Sequence, residues 1–373
     1  MQAVILAGGK GSRLHPLTAD IPKPMAPIFN RPAMEHLVEL LVRHDIRDII
    51  VTVSHLATNI LEHFGDGTQW GANIRYSAED TPKGTAGAVK DLQPVLSETF
   101  LVLSGDAVTD FDLTEAVDYH RRKSALATLM LYEVEDPSEF GVVAMEDDGR
   151  VTRFFEKPKA DEVFSHTINT GIYVLEPEAL SSVPYDIPYD FGRELFPRLL
   201  RNMEPIYGCK LPGYWCDIGN LLQYRSAHFD TLMGKVNLKI AGKQVDEGVW
   251  VGDECDVHST ARLSAPVFVG HGAEIRRNVA VGSLSVLGDR TLLDEGASVH
   301  RSIVGNGALI GKSSKITDCV IGTGYHVMDN GDVRNRVIAN AGERLVDVDW
   351  ETENVPTIRI DRAGEPSATP LAA

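Results

Sequence analysis

Between residues 251 and 333 an aliphatic side chain recurs at every sixth position: Val251, Val257, Leu263, Val269, Ile275, Val281, Leu287, Leu293 and Val299. The phase slips by one residue and resumes at Val304, Ile310 and Ile316, then slips again before Ile321, Val327 and Val333. A small residue, mostly glycine, often follows, as in Val269-Gly270, Val281-Gly282 and Ile310-Gly311. A helix repeats every 3.6 residues and a plain strand every 2.0, so neither yields a strict six with one inward aliphatic. A hexapeptide β-helix does, because each six-residue side gives one aliphatic to the core of a triangular prism. At three sides per coil these fifteen positions imply between four and five coils, with the slips as corner adjustments or a short loop. A generic β-sandwich offers no reason for the spacing.

The preceding 235 residues follow another rule. Ala3–Ala7, Asp48–Ser54, Thr99–Ser104 and Ala125–Val134 read as strands, and Ala33–His44, Leu113–Arg122 and Asn220–Leu232 as helices. Such alternation predicts an α/β domain around a mixed, mainly parallel, Rossmann-like sheet. The expected organisation is the α/β domain over 1–235, a linker over 236–248, a left-handed parallel β-helix over 249–340 and a polar, aperiodic tail over 341–373. Ligands of such sheets bind beyond the carboxyl ends of the strands. The first strand runs into a glycine loop and Thr99–Ser104 runs into Gly105-Asp106, so both stretches fall on one edge.

Composition narrows the partners. A formal charge of −17 disfavours nucleic acid and anionic membrane, so an anionic substrate would need a local cluster of Lys and Arg. The four cysteines form no CxxC pair, which argues against a zinc site or disulfide framework and for a reducing, cytoplasmic setting. The opening MQAVILAGGKGSR has no basic stretch before its apolar run and reads as a buried strand, not a signal peptide. No apolar run approaches the ~18 residues of a membrane span.

The loop after the first strand reads Leu6-Ala7-Gly8-Gly9-Lys10-Gly11-Ser12-Arg13-Leu14. Its glycines let the backbone turn N–H groups onto a phosphate, and Lys10 and Arg13 add positive charge. It is neither a Walker A loop nor a dinucleotide fingerprint, since Leu14 stands where a third glycine belongs. Pro22-Lys23-Pro24 follows, with Lys23 expected on a stiff, extended segment.

The combined string G-G-K-G-S-R-L-x-P-L-T, then P-K-P, resembles the signature of the NDP-sugar pyrophosphorylase (nucleotidyltransferase) family. Further stretches resemble it in the same order: Glu79 with Pro82-Lys83-Gly84-Thr85-Ala86-Gly87, Leu103-Ser104-Gly105-Asp106, Phe140-Gly141-Val142-Val143, Phe155-Glu156-Lys157-Pro158, Asn169-Thr170-Gly171 and Trp215-Cys216-Asp217-Ile218-Gly219. The order of domains is most similar to the mannose-1-phosphate guanylyltransferase branch, although Lys83 departs from the leucine usual there. The resemblance implies an NTP, GTP in that branch, and a sugar 1-phosphate as substrates, with Mg²⁺ as cofactor. It puts Leu6, Gly8, Gly9, Gly11, Ser12, Arg13, Glu79, Gly84 and Thr85 on the nucleotide and Lys23 on the departing pyrophosphate. Asp106 and Asp217 would hold the metal. Gly141, Glu156, Asn169 and Thr170 would hold the sugar, with Lys157 on its phosphate.

These roles also make sense as chemistry. The attacking sugar phosphate has a second pKa of about 6, so no general base is required. What remains is to align two polyanions and neutralise their charge. An Asp at a strand end can equally be a turn or helix cap. Guanine presents two adjacent donors, which suits the carboxylate of Glu79; a solvated strand-end charge is the alternative. Glucose-1-phosphate uridylyl, thymidylyl or adenylyl transfer, a non-catalytic regulatory subunit and a hexapeptide acyltransferase using His258, His271, His300 or His326 are the rival readings. The exposed prism faces of a β-helix further suggest a homo-oligomer.

Overall fold

The computed structural model describes residues 1–339 apart from Lys10, His55 and Asp80, together with the strands Arg344–Asp347 and Ile358–Ile360. Gln2–Leu6 is the centre of the first sheet, paired in parallel with Asp48–Val53 on one side and Phe100–Ser104 on the other. Both its faces are covered, which is why it reads as a continuous apolar run and not an alternation. Ala3 and Ile5 pack with Met34, Leu37, Val38 and Leu41 of the helix Ala33–Arg43, an i, i+3, i+4, i+7 stripe. Val4 turns the other way, to Ala86 and Val89 of the helix Gly84–Lys90. Asn73–Ala78 extends the parallel half beyond Asp48–Val53.

The other half is mainly antiparallel, with Ile206–Lys210 added in parallel beside Ala127–Glu133. Thr167–Leu175 pairs with Phe100–Ser104 at its end and with Ala127–Glu133 along its length, and Gly141–Met145 and Val151–Glu156 form a hairpin beside it. Its register with Ala127–Glu133 shifts between Asn169 and Tyr173, a bulge that turns Asn169 and Thr170 into the cleft described below. The helices Leu113–Lys123 and Leu221–Leu232 begin at the side-chain caps Asp112 and Asn220.

From Val249 the chain winds through three parallel sheets in strict rotation, making the left-handed β-helix that the period of six predicts. The period marks five complete coils and the first side of a sixth, where Ile338 takes the next inward place. That is more than the four to five expected. The two slips lie at one corner: Val299 to Val304 and Ile316 to Ile321 both cross from the third sheet to the first, and the same shortening recurs between Val333 and Ile338. The inward aliphatics from Val269 to Val327 are buried. Val257 remains 37% exposed and Val251 and Leu263 half-buried, because no earlier coil lies over the first one. His258, His271, His300 and His326 are exposed. The segment read as a linker holds a strand, Lys243–Asp246, antiparallel to Val249–Val251. In the stretch read as an aperiodic tail, Arg344–Asp347 and Ile358–Ile360 add two antiparallel strands to the first sheet, and the rest lies outside the described residues.

One prism face is closed by the α/β domain. On the first sheet the residue before each inward aliphatic is apolar as well, and Phe268, Val286, Ile303, Val320 and Val337 pack on Ile28, Phe29, Tyr224 and Ala227. Phe29 and Asn30 form the tip of a hairpin, both with positive φ, as a two-residue turn of this kind requires. A phenylalanine there is strained, and complete burial edge-on to Phe268 (centroids 5.4 Å apart) offsets it. Asn30 donates to Asp289 (2.7 Å), and Arg225 pairs with Asp318.

Two buried histidines tie this hairpin down. His36 Nε2 donates to the Ile28 carbonyl and His228 Nε2 to that of Pro27, each at 3.1 Å, while neither Nδ1 has a partner among the described residues. Protonation would put an N–H and a charge where nothing accepts them. Burial accordingly lowers their pKa from 6.5, to about 4 for His36 and about 3 for His228. Between those values and 6.5 the unfolded chain binds more protons than the folded one, so stability is complete above pH 6.5 and falls as pH drops toward 4. Urea unfolding at pH 7.5, 6.5, 5.5 and 4.5 should lose at most roughly 1.4 kcal/mol per pH unit for each imidazole. A stability flat from pH 7 to 5 would contradict this.

Candidate active site

A cleft of ≈ 450 Å³ opens at the carboxyl ends of Gln2–Leu6 and Phe100–Ser104, lined by Leu6 and Ser104 from those ends. This is the point where neighbouring strands lead away in opposite directions, the usual ligand crevice of an open α/β sheet. Asp106 follows the second of these strands directly. Asp217, much later in the chain, is brought to it by a short antiparallel ribbon in which Trp215–Asp217 pairs with Ala107–Thr109, Asp217 opposite Ala107. The Ile218 N–H closes the ribbon on the Asp106 carbonyl (3.2 Å).

Lys23 lies between the two carboxylates. Its ammonium pairs with Asp106 Oδ2 and donates to Asp217 Oδ1 at 2.8 Å. The Ser104 hydroxyl donates to the other oxygen of Asp106 (2.6 Å). Burial works against ionisation of Asp106, but the Lys23 charge and the bonds from Lys23 and Ser104 hold its pKa below the ordinary value. Asp217 goes the other way: burial and the adjacent Asp106 charge push it up, and one ammonium cannot compensate both acids.

Lys23, expected on a departing pyrophosphate, here pairs with the two acids. Its backbone departs from the expected extended segment, since Lys23–Met25 is a 3-10 turn with Pro24 in the first turn, a position proline tolerates. A buried ammonium takes the nearest anions, and here those are the acids read as metal ligands. Neither acid caps a helix. The pair fits Mg²⁺: the ammonium is a stand-in cation on the two oxygens, and Asp217 is short of positive charge. Among the described residues no group of three or more acidic, His or Cys ligands gathers. Mg²⁺ asks for no such cage, since it binds through one or two carboxylates plus substrate phosphates and water.

The far wall gathers all five residues expected on the sugar 1-phosphate: Gly141, Glu156, Lys157, Asn169 and Thr170 line the cleft. Glu156 is seated between two glycines. A Cβ on Gly141 would stand 2.7 Å from Glu156 Oε2, and one on Gly192 2.4 Å from it, so a side chain at either position would displace the Glu156 carboxylate from where it now sits. Burial raises the Glu156 pKa. Lys157 is exposed with positive φ, its N–H donating to the Phe140 carbonyl (2.9 Å). Asn169 donates to the Tyr173 hydroxyl (2.9 Å), and the Thr170 hydroxyl donates to the Met130 carbonyl (2.7 Å).

On the nucleotide side Leu6, Arg13 and Thr85 line the cleft, whereas Gly8, Gly9, Gly11, Ser12, Glu79 and Gly84 fall outside its wall. Lys10 lies outside the described residues. Arg13, half-exposed, donates to Glu139 (2.7 Å). A Cβ on Gly8 would stand 3.3 Å from Glu79 Oε2, so the loop and Glu79 are neighbours. Glu79 Oε1 is buried with no partner among the described residues, and burial raises this carboxyl's pKa.

Sequence reasoning assigned no role to Glu139, Asp190, Gly192, Arg193 or Trp215, which also line the cleft. Asp190, Gly192 and Arg193 arrive on a segment positioned by long-range bonds to residues 83–87, and no local spacing announces such residues. Glu139 had a signal, a carboxylate directly before the Phe140-Gly141 motif.

A Rossmann-like sheet with two acids sharing a cation at its switch point, and a β-helix behind it, defines a nucleotidyltransferase class of protein. Comparison with known proteins agrees. Residues 2–233 match the family described as nucleotidyl transferase, and residues 245–348 match the GMPPB C-terminal domain. The chain belongs to the nucleotidyl transferase family. It is 38% identical to a UTP–glucose-1-phosphate uridylyltransferase of Synechocystis over 347 residues, 89% of each chain. It is 34% identical to the mannose-1-phosphate guanylyltransferase of Mycobacterium tuberculosis, over 81% of this chain and 83% of that one. The crystal structure of HddC from Yersinia pseudotuberculosis complexed with GMP-PN superposes with a TM-score of 0.53 at 26% identity, covering 61% of this chain and 97% of that one.

Removing the shared ammonium gives a direct test of the cation site. Lys23→Met leaves two acids facing each other and should lower the melting temperature without metal; millimolar Mg²⁺ should then raise it by clearly more than in the wild type. Equal Mg²⁺ shifts in both proteins would contradict a metal site here.

Proposed function

We propose that the protein is a cytoplasmic, Mg²⁺-dependent sugar-1-phosphate nucleotidyltransferase that converts GTP and mannose 1-phosphate into GDP-mannose and pyrophosphate. The observation that carries the reaction class is the acid pair Asp106 and Asp217, sharing one cation in a cleft whose far wall gathers Glu156, Lys157, Asn169 and Thr170.

In this reading a phosphate oxygen of the sugar 1-phosphate attacks the α-phosphorus of the NTP. The new P–O bond forms as the bond to the β-phosphate breaks, and pyrophosphate leaves with that electron pair. The nucleophile is already ionised, so no proton is moved and no covalent enzyme intermediate forms. Arg13 and the backbone of Leu6, Gly8, Gly9, Gly11 and Ser12 hold the nucleotide phosphates, which requires Arg13 to leave Glu139. Lys23, released from the acids, neutralises the pyrophosphate. Lys157 holds the sugar phosphate, and Glu156, Gly141, Asn169 and Thr170 orient the sugar. Asp106 and Asp217 would hold Mg²⁺, which would supply neutralisation of the phosphate charge. Gly84, Thr85 and Glu79 face the base.

The choice of GTP and mannose 1-phosphate has two supports. Glu79 offers a carboxylate with one oxygen unpaired among the described residues, suited to the adjacent donors of guanine. The second half matches the GMPPB C-terminal domain, and several relatives are named mannose-1-phosphate guanylyltransferases. UTP with glucose 1-phosphate is the second reading, favoured by the 38% identical Synechocystis uridylyltransferase. The outer prism faces further suit self-association, which sedimentation at micromolar concentration tests; a monomer would contradict it.

Five NTPs assayed against mannose, glucose and N-acetylglucosamine 1-phosphates, scored by pyrophosphate release, separate the two readings. GTP with mannose 1-phosphate should lead; UTP with glucose 1-phosphate leading would replace it. Asp106→Ala and Asp217→Ala should each remove most turnover with the fold retained, and full activity in EDTA would sink the metal-dependent mechanism. Glu79→Gln should lower GTP use relative to UTP use about tenfold to a hundredfold, the worth of a charged hydrogen bond.

A further inference from the structure

The segment 186–193 belongs to both ends of the cleft. Tyr189 N–H donates to the Lys83 carbonyl (2.8 Å), and the N–H groups of Ala86 and Gly87 both donate to the Tyr189 carbonyl (2.9 Å). The approach is so close that a Cβ on Gly84, whose φ is +73°, would stand 2.8 Å from that carbonyl oxygen. Lys83, which departs from the leucine of the guanylyltransferase pattern, is held by Asp91 (2.7 Å) and reaches Asp186 (3.1 Å) across the gap. Three residues beyond Tyr189, Gly192 packs against the Glu156 carboxylate, with Arg193 also in the wall.

Asp190 joins the two ends. It precedes a π-helical turn, Phe191–Leu195, yet its side chain makes no capping bond to that turn. Its Oδ1 instead accepts from the Thr85 N–H (3.1 Å) and the Thr85 hydroxyl (3.0 Å). The same hydroxyl accepts from the Phe191 N–H (3.0 Å), and Glu194 takes the Asp190 N–H (2.7 Å). Thr85 is on the nucleotide side, and Phe191, Gly192 and Arg193 line the cleft toward Glu156. A π-turn is a rare conformation that recurs at functional sites. Here it sits where a displacement of Thr85 passes straight into the backbone beside Glu156.

We infer that Asp190 is a positioning residue that couples the two substrates: by tying Thr85 to the start of the segment that continues through Phe191 to Gly192 and Arg193, it makes nucleotide occupancy set the geometry of the sugar-phosphate end. The inference rests on the reaction proposed above. An NTP that fixes the helix start at Gly84-Thr85 fixes Asp190 with it, and Gly192 is then held against Glu156. The sugar 1-phosphate meets an already ordered wall, and its affinity rises. The coupling is reciprocal, since binding free energies are.

Calorimetric titration of sugar 1-phosphate into the full-length protein, with Mg²⁺ and with or without an α,β-methylene NTP, reads this coupling. The probes are α,β-methylene-GTP with mannose 1-phosphate, or α,β-methylene-UTP with glucose 1-phosphate if the substrate matrix selects that pair. In the wild type the nucleotide should tighten sugar-phosphate binding at least about fivefold, the low end of ordinary allosteric coupling. Asp190→Ala and Thr85→Val should each bring the ratio close to one. Asp190→Asn and Thr85→Ser, which keep an acceptor and a hydroxyl, should retain most of it. A merely structural role would lower the melting temperature and weaken both ligands without changing the ratio. A wild-type ratio of one, or ratios unchanged in both Asp190→Ala and Thr85→Val, would overturn the inference; should Asp190→Ala not fold, Thr85→Val decides alone. A substrate matrix with no active pair overturns the reaction itself, whereas an active pair with uncoupled ratios overturns only the role of Asp190.

Discussion

Two carboxylates held side by side in a cleft repel each other and lose much of their hydration, so they stay ionised together only with a cation between them. Asp106 and Asp217 are in that position, and Lys23 is their cation. Much of the α/β domain serves to create this arrangement. The central strands deliver Asp106 at their carboxyl edge, the ribbon of Ala107–Thr109 and Trp215–Asp217 carries the second acid across the sequence, and the 3-10 turn at Lys23–Met25 aims the ammonium. Burial and the neighbouring Asp106 charge push Asp217 up, while the Lys23 charge and the bonds from Lys23 and Ser104 hold Asp106 down. In the mechanism proposed above, these two acids would hold a more highly charged cation together with phosphate, and Lys23 would then pair with the phosphate.

The β-helix is joined to this domain through its core and not through a tether. The outer aliphatics of one prism face and the buried hairpin tip at Phe29 form a single apolar cluster, pinned at its edges by Asn30 with Asp289 and Arg225 with Asp318. The hairpin follows directly on the turn that carries Lys23, and its carbonyls at Pro27 and Ile28 are held by His228 and His36. Anything that loosens this face reaches the acid pair through only a few residues of chain. That offers a physical reason for the repeat domain to matter to the site in the α/β domain.

The β-helix was legible because its signal is local and repeated: one inward aliphatic every six residues, with the corner shortening visible as a slip after Val299 and again after Ile316. The face that meets the other domain was equally written in the sequence, as Phe268, Val286, Ile303, Val320 and Val337 directly before inward positions, but a search for one aliphatic per side passes over the second. The parallel strands were readable as apolar runs. The antiparallel half was not, since pairing direction depends on partners far away in the chain. In the site, motif resemblance found Arg13, Asp106, Glu156 and Lys157 in the cleft wall. It could not reveal that Lys23 would bridge the acids, that Arg13 would rest on Glu139, or that Asp190 would ignore its own helix for Thr85. Each of those is a choice of partner made by tertiary structure.

Which cation the two acids hold when substrate is present decides between a metal-assisted and a lysine-only site. The most direct measurement is anomalous diffraction from crystals grown with Mn²⁺ and an α,β-methylene NTP. The expected result is a single manganese peak between Asp106 and Asp217, within bonding distance of both, with the Lys23 ammonium moved onto the nucleotide phosphates. A nucleotide bound in the cleft with Lys23 still between the acids, and manganese elsewhere or absent, would contradict it.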